Sequence, residues 1–211
     1  MNLDLTSQLS TLTDLGAGWV MWVLIALSVV SIAIMVERTI VMLRSRDDIV
    51  RLRAAIMPRL FARDYVGASD VIADSRSYEA RVLSAGLEAA QDGAATAEQR
   101  MAGASTLAKL AMEQRLAFLG TVGSNAPFVG LLGTVIGIVR SFAALDASGG
   151  RVSASLMSEV GEALVATAVG ILVAIPAVAA FNAFQRVIKA RLSRADALAR
   201  ELIAQLSSER V

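Results

Sequence analysis

Three long stretches of the chain contain no charged residue, and they alternate with segments rich in charge. They are Leu15–Val36, Leu116–Val139 and Ala163–Gln185, of 22, 24 and 23 residues. About 20 apolar residues in a helix cross the hydrocarbon core of a bilayer, so each stretch can span it. The remaining segments are rich in Ala, Leu, Arg and Glu and lack strand-like alternation, which predicts helix. The pattern predicts an all-α membrane protein with three transmembrane helices.

Local signals subdivide the segment between the first two stretches. Asp64 is expected to cap a helix, and Thr96 with Gln99 forms the pattern of a capping box. The range 97–145 contains no proline until Pro127. We therefore expect one continuous helix that runs over 97–145 and enters the membrane.

The distribution of Lys and Arg predicts the orientation in the membrane. Residues 1–14 contain neither, whereas Arg is frequent in 38–115 and in 186–211, each of which also contains one Lys. Because Lys and Arg accumulate on the cytoplasmic side, the N-terminus is expected outside and the polar segments are expected to extend as helices into the cytoplasm. The expected segments are an external segment 1–14, a first transmembrane helix 15–37, a cytoplasmic helical region 38–115, a second transmembrane helix 116–142, a short external loop 143–159, a third transmembrane helix 160–185 and a cytoplasmic C-terminal helix 186–211.

Two of the apolar stretches contain strips of small residues. In the run Ala126–Phe142, APFVGLLGTVIGIVRSF, the small residues that share one helical face are Gly130, Gly133, Thr134, Gly137 and Ser141. The third stretch has a matching face, which consists of Ala163, Thr167, Gly170, Ala174 and Ala177. Membrane helices use small residues to bring their backbones close together. Both threonines are therefore expected to face a packed neighbour or a pore rather than lipid.

Each of these two stretches also contains a proline, Pro127 or Pro176. Because proline has no N–H, the carbonyl four residues earlier loses its helical partner. In lipid such a carbonyl needs a neighbouring helix, a hydroxyl or water. The prolines indicate helix kinks, which either allow tight packing or help to line a passage, and the two roles are compatible.

Composition excludes several classes of protein. A hydrophobic content of 55% and a mean hydropathy of +0.60 are too apolar for a soluble domain of this size. The absence of Cys and His removes disulfides and the commonest metal ligand and acid–base group. The net charge of +1, without a basic–aromatic pattern, gives no sign of nucleic-acid binding. We expect neither a cofactor, a metal nor an enzyme's catalytic residues.

The run Ala126–Phe142, followed by VGEALVATAVGILVAIPAVAAFN at 160–182, resembles the paired second and third spans of the ExbB/TolQ family. This family supplies the larger subunit of bacterial proton-driven motors and is distantly related to the MotA stators. The resemblance extends over all three spans and is most specific over Arg115–Asn182. It implies a homopentameric ring around a dimer of a single-span ExbD/TolR-like subunit. The ring would lie in the bacterial inner membrane, with a periplasmic N-terminus, a cytoplasmic C-terminus and an envelope-spanning effector as a further partner.

The hydrophobic middles of the second and third spans contain no Asp, Glu, His, Lys or Arg. A proton path across a bilayer normally needs a titrating group, and a threonine hydroxyl cannot store a proton near neutral pH. If protons pass here, the protonated carboxyl must therefore belong to another chain, and the resemblance implies an aspartate of the smaller subunit. Thr134 and Thr167, at family motif positions, would then line the pathway and receive the hydrogen bond of that carboxyl. Alternatively, each hydroxyl bonds the carbonyl of its own turn.

Two charged residues lie at the external ends of these spans. Glu162 matches the glutamate five residues before the family's threonine, and it either tunes proton access to the pathway or is solvated at the interface. Arg140 departs from the family, in which this position usually carries a smaller or neutral residue. It either snorkels to the interface or forms an ion pair with Glu162 or Glu159.

Three functional classes are compatible with the sequence. The resemblance favours a ring-forming motor subunit that couples proton influx to mechanical work on the cell envelope, in transport, envelope maintenance or gliding motility. A self-sufficient ion channel or transporter is the first alternative, and it is weakened by the lack of an intramembrane charge. A membrane scaffold protein is the second.

Overall fold

The computed structural model describes residues 18–152 and 154–208, and these residues form helices and turns without a strand. The expected external segment 1–14 lies outside the described residues, as do the first three residues of the expected first span. The helices of the described part are α1 Gly18–Arg44, α2 Ile49–Phe61, α3 Tyr65–Ala73, α4 Tyr78–Glu88, a 3-10 turn Ala90–Asp92, α5 Ala94–Glu113, α6 Leu116–Ala147 and α7 Ala154–Ser207.

Three helical segments are long and apolar enough to cross a membrane. They lie within Gly18–Phe61, Leu116–Ala147 and Leu156–Ser207. Many of their large apolar side chains are exposed, for example Trp22 at 73% and Leu172 at 70%. So many exposed apolar side chains require lipid or another protein to cover them. The expectation of an all-helical chain with three candidate membrane spans is confirmed, whereas the exact segment ends stay predictions.

The turn between α6 and α7 lies within the expected external loop 143–159, and helical structure continues to Ala147 before it and resumes at Ala154. Gly149 and Gly150 in this turn have φ angles of 65° and 82°. Side chains disfavour this left-handed conformation, and glycine adopts it without a steric penalty. The two glycines therefore allow α6 to end within a few residues of the start of α7.

The chain divides into two compact units. The first, which we call the membrane unit, comprises the described residues of 18–36 together with 115–182. Its hydrophobic core contains Val20 and Leu24 of α1, with apolar residues of α6 and α7. Both α1 residues are completely buried, so α1 contributes to this core along with the two helices that carry the small-residue strips.

The second unit, which we call the polar unit, comprises residues 37–114 and the described residues of 183–208. Helices α4, α5 and α7 meet closely at Gly86, where a Cβ atom would lie 2.5 Å from Met101 Sδ and 2.9 Å from Leu202 Cδ2. The side chains of Met101 and Leu202 are buried, with 3% and 0% exposure. This packing unites the segment that follows α1 with the C-terminal part of α7.

The polar unit contains a buried ion pair between Arg191 of α7 and Glu79 of α4. Arg191 Nε donates to Glu79 Oε1 at 3.0 Å and Nη2 donates to Oε2 at 2.8 Å, with both side chains only 6% exposed. Arg191 also donates to the hydroxyl of Ser45 at 2.9 Å and to its backbone carbonyl. The Tyr78 ring centre lies 5.2 Å from the guanidinium carbon. Arg191 therefore connects α7 both to α4 and to the turn after α1.

A second ion pair of the polar unit is exposed. Arg53 Nε of α2 lies 2.9 Å from Glu201 Oε2 of α7. The hydrogen bond to Glu201 raises the pKa of Arg53 above its ordinary value, so the guanidinium is charged at any physiological pH. Because water and salt screen such a pair, it is expected to contribute little to stability.

The start of α3 confirms one predicted cap. Asp64 precedes the helix, and its Oδ1 accepts a hydrogen bond from Gly67 N at 2.9 Å. The capping box at Thr96 and Gln99 is wrong, because α5 already begins at Ala94. Thr96 is therefore an internal residue of the helix, where its hydroxyl donates to a carbonyl four residues earlier.

The predicted continuous helix over 97–145 is also wrong. Helix α5 ends at Glu113, and α6 begins at Leu116. Between them Arg115 adopts the left-handed conformation, with φ 64° and ψ −5°. A left-handed residue cannot continue a right-handed helix, because its backbone hydrogen-bonding groups point in the wrong directions. The chain thus contains two helices where the absence of proline indicated one.

Candidate functional site

The two strips of small residues face each other in the membrane unit. All the small residues of the α6 strip are buried, including both Thr134 and Ser141. On α7 the residues of the matching strip are buried except Thr167, which is half-buried; the buried ones are Ala163, Gly170, Ala174 and Ala177. The strips therefore form the contact between α6 and α7.

This contact is close enough to require glycine. A Cβ atom on Gly130 would lie 2.7 Å from the carbonyl oxygen of Ala166, and one on Gly170 would lie 2.6 Å from that of Ala126. Real Cβ atoms essentially never approach other heavy atoms within 3.0 Å. Since the obstructing atoms belong to the backbone, rotation of a side chain cannot relieve the overlap. The α6 and α7 backbones touch directly here.

The close contact continues from this point towards the C-terminal end of α6. A Cβ on Gly137 would lie 2.4 Å from Ala163 Cβ, and one on Gly133 would lie 2.8 Å from Ala166 Cβ. The same Cβ on Gly133 would lie 3.2 Å from Val20 Cγ1 of α1. Helix α1 therefore packs beside the strip, and the three spans share one core.

The two threonine hydroxyls meet where the backbones touch. Thr167 Oγ1 donates to the carbonyl of Gly130 at 3.1 Å and lies 3.5 Å from Thr134 Oγ1. Thr134 Oγ1 donates to the carbonyl of Leu131, in its own helical turn, at 2.6 Å. The pair thus combines one bond between helices with one bond within a turn. The sequence left open whether each hydroxyl bonds a neighbouring helix or its own turn. The structure contains one bond of each kind.

These bonds determine what the threonine pair can do chemically. A hydroxyl has one hydrogen to donate and two lone pairs to accept with. Carbonyl oxygens only accept, so both hydroxyl hydrogens are already directed to backbone carbonyls. Towards a further group, the two hydroxyl oxygens can therefore act only as hydrogen-bond acceptors. A protonated carboxyl group can donate to such an oxygen, whereas a carboxylate has no hydrogen to donate.

At the end of α6 and the start of α7, Arg140 had two expected acidic partners, Glu162 and Glu159. Arg140 Nη2 lies 3.8 Å from Glu159 Oε1, so its acidic partner is Glu159. The backbone oxygen of Glu159 lies 3.4 Å from the Cβ position of Gly137, which places Glu159 against α6. Glu162, three residues further along α7, is exposed. Within the described residues, Glu159 Oε2 is buried and has no hydrogen-bond partner.

Both prolines lie inside their helices. Helix α6 continues through Pro127 and α7 continues through Pro176. Near Pro127, the Cβ position of Gly123 lies 2.4 Å from Val178 Cγ2, so α7 packs against the turn whose carbonyl the proline leaves free. Tight packing is therefore present at Pro127, and it does not exclude a lined passage.

Sequence reasoning missed the backbone partners of the strip. Ala126 and Ala166 supply the carbonyl oxygens nearest to Gly170 and Gly130. A signal for Ala126 was present, because it lies four residues before Gly130 and extends the same face by one turn. Ala166 carries no such signal, since it is one alanine among several in its span.

The apolar helices and the backbone contact between them define the chain as a multi-pass α-helical membrane protein. The family model described as the MotA/TolQ/ExbB proton channel family matches residues 74–197, more than half of the chain. The chain belongs to this family. The match includes the strips of both α6 and α7, and the resemblance stated from the sequence is confirmed.

Several relatives match part of the chain. The biopolymer transport protein ExbB of Xanthomonas campestris is 44% identical over 91 residues, which are 43% of this chain and 36% of that protein. The putative biopolymer transport protein ExbB-like 2 of Helicobacter pylori is 45% identical over 78 residues, 37% of this chain and 52% of that protein. The Tol-Pal system protein TolQ of Pseudomonas aeruginosa is 49% identical over 73 residues, 35% of this chain and 32% of that protein. The matched segments span between about a third and a half of these relatives.

Proposed function

We propose that this chain is the ring-forming subunit of a proton-driven motor in the bacterial inner membrane. The observation that carries the proposal is the pair of threonine hydroxyls, both with their hydrogens directed to carbonyls, in spans that contain no titratable group. The pair can receive a proton-carrying group but cannot carry the proton. Family membership and relatives named for biopolymer transport and the Tol-Pal system support the same proposal.

The proton carrier belongs to a partner in this proposal. Five copies of the chain surround a dimer of a single-span ExbD/TolR-like subunit, whose membrane aspartate is protonated from the periplasmic side. The protonated carboxyl donates to the oxygen of Thr167 or Thr134, and it loses this bond when it releases its proton towards the cytoplasm. The resulting movement is transmitted to an envelope-spanning effector. The chain itself performs no enzymatic reaction and uses no cofactor.

The orientation follows from charge. Arginines are concentrated directly after the first span and after the third, with none in residues 1–14. The positive-inside rule therefore supports a periplasmic N-terminus and a cytoplasmic C-terminus. The exposed Glu162 and the Arg140–Glu159 pair then lie at the periplasmic end, where Glu162 is accessible to the partner or to a neighbouring copy.

The task of the motor is narrowed by the relatives. Two of them are named for biopolymer transport and one for the Tol-Pal system. These names favour a task in transport or envelope maintenance over a task in gliding motility. A channel that works without a partner is disfavoured, because the spans of this chain supply no group that binds and releases protons.

Thr167→Val tests the proposal. In vesicles that contain the chain and its partner, we expect proton uptake to fall by roughly tenfold or more and motor function to be lost, because the protonated carboxyl loses an acceptor. Assembly should persist, since one hydrogen bond between membrane helices contributes only about 0.6 kcal/mol on average. Thr134→Val is expected to act in the same direction.

The matched control is Thr121→Val, also on α6. The Thr121 hydroxyl is exposed and bonds Ala117 O of its own turn at 3.0 Å, so its loss should leave proton uptake unchanged. Thr167→Ser, which retains the hydroxyl, should restore uptake. Wild-type uptake by both the Thr167→Val and Thr134→Val proteins would contradict the role of the hydroxyl pair. The partner must also be required: uptake by vesicles of this chain alone would favour an independent channel.

The expected stoichiometry has a separate test. The mass of the purified complex should correspond to five copies of this chain and two of the partner. A ring of four or six copies would contradict the pentamer without affecting the threonine experiment.

A further inference from the structure

The polar unit contains a second site that the proposed motor function does not use. It is a cavity of about 390 Å³ between the end of α1, the turn that follows it, and α7. One part of its lining is apolar and includes Met42, Leu43, Phe184 and Val187. The other part carries arginines. The cavity is therefore amphipathic.

Its apolar part lies where two membrane spans end. The uncharged stretch of α1 ends at Val36, shortly before Met42. The uncharged stretch of α7 ends at Gln185, so the cavity wall at Phe184 and Val187 lies across this boundary. Side chains at these positions are at the depth of lipid head groups and the first methylene groups of the acyl chains.

Its polar part has an excess of unpaired positive charge. Arg191 is neutralised by Glu79, as described above. Asp47 is engaged too: Oδ2 accepts from Ser75 Oγ at 2.7 Å and Oδ1 accepts from Asp48 N at 2.9 Å. Within the described part of the chain, the exposed guanidinium groups of Arg46 and Arg194 form no ion pair. Apart from the Arg191–Glu79 ion pair, the cavity is thus lined by two guanidinium groups without an ion pair and by one hydrogen-bonded carboxylate, Asp47.

We propose that this cavity binds the phosphodiester head group of an anionic phospholipid. A guanidinium group offers paired N–H donors that match phosphate oxygens, and Arg46 and Arg194 present two such groups. The apolar wall receives the first part of an acyl chain. A soluble phosphate would leave this wall uncovered, so the lipid is the occupant that satisfies both parts. The inference requires only that the chain spans a membrane, and it stands or falls independently of proton transfer.

The experiment uses a fluorescent reporter in the full chain. Phe184→Trp places a tryptophan in the cavity wall, and Trp19→Phe with Trp22→Phe removes the native ones. The protein is reconstituted in phosphatidylcholine vesicles that contain a brominated lipid, which quenches nearby tryptophan. Brominated phosphatidylglycerol should quench at a roughly tenfold lower mole fraction than brominated phosphatidylcholine, since each arginine near the surface favours anionic lipid.

Charge variants then distinguish lipid binding in the cavity from a general attraction of anionic lipid to the basic surface. Arg46→Gln with Arg194→Gln should abolish the preference for phosphatidylglycerol. Arg186→Gln with Lys189→Gln removes the same charge from exposed positions of the same helix outside the cavity, and it should preserve the preference. Equal loss in both double variants would overturn the inference, because it would show attraction to the basic surface as a whole.

Two further outcomes are decisive. Added inorganic phosphate should not relieve the quenching, and relief by phosphate would assign the cavity to a soluble anion. Equal quenching by both brominated lipids would also overturn the inference. So would the absence of quenching by either lipid, which is the result expected if a neighbouring copy covers the cavity.

Native mass spectrometry of the protein without the tryptophan changes provides a second measurement. Phosphatidylglycerol should stay bound to it, and the Arg46→Gln, Arg194→Gln variant should lose that lipid.

Discussion

Replacement of Arg191 by methionine is expected to lower the free energy of unfolding by about 3–5 kcal/mol, because it leaves Glu79 buried without a counter-charge. The two side chains are each 6% exposed and share two hydrogen bonds. The substitution also removes the two donors to Ser45. Thermal unfolding of the purified full chain, followed by circular dichroism, should show a midpoint lower by roughly 10 °C.

The chain provides a matched control for this experiment. Arg53→Met makes the same replacement at the exposed pair with Glu201, also between α7 and another helix, and should leave the midpoint almost unchanged. The double variant Glu79→Met with Arg191→Met removes both buried charges. It should recover most of the lost free energy of unfolding, since apolar pairs often replace buried ion pairs without loss of stability. If Arg191→Met were as stable as Arg53→Met, Arg191 would not be a structural connection between α4 and α7.

The second large effect is expected for Gly170→Ala. The added methyl group would lie 2.6 Å from the carbonyl oxygen of Ala126 and 3.1 Å from Gly130 Cα. Helices α6 and α7 must therefore move apart, at a cost of about 1–3 kcal/mol. The separation lengthens the Thr167–Gly130 hydrogen bond, so both the thermal midpoint and partner-dependent proton uptake should fall.

Gly161→Ala is the control on the same helix. No atom lies within 4 Å of a Cβ at this position. The variant should be neutral, or more stable by up to about 1 kcal/mol because alanine favours the helix. A Gly170→Ala protein that behaved like Gly161→Ala would show that the backbones of α6 and α7 do not need to touch. The Gly170 variant also differs from Thr167→Val, which is expected to lower uptake with little change in stability.

The contact between α6 and α7 was accessible from the sequence. Small residues at helical spacing mark one face of a helix, and the absence of charge marks a span, so the faces around Gly130 and Gly170 followed from periodicity. The partner of each face did not follow from periodicity alone. It came from the resemblance, which pairs the two spans.

Other features depend on contacts distant in the chain. Arg191 and Glu79 lie 112 residues apart, and neither residue type signals burial in a sequence. Arg140 had two acidic residues within reach, and the choice of Glu159 depends on how α7 is rotated against α6. Arg115 adopts a left-handed conformation that its residue type does not favour, so the break between α5 and α6 carries no glycine or proline signal.

In the proposed motor, the threonine pair has a consequence for the response to pH. Its contacts join hydroxyls to carbonyls, and neither group gains or loses a proton over the range in which bacteria live. The surroundings of the pathway at this depth therefore keep the same hydrogen-bonding character in acid and in alkali. In the proposed motor, the threonine pair would therefore add no titration of its own to a curve of proton flux against external pH, and the titrating group at this depth would be the carboxyl of the partner.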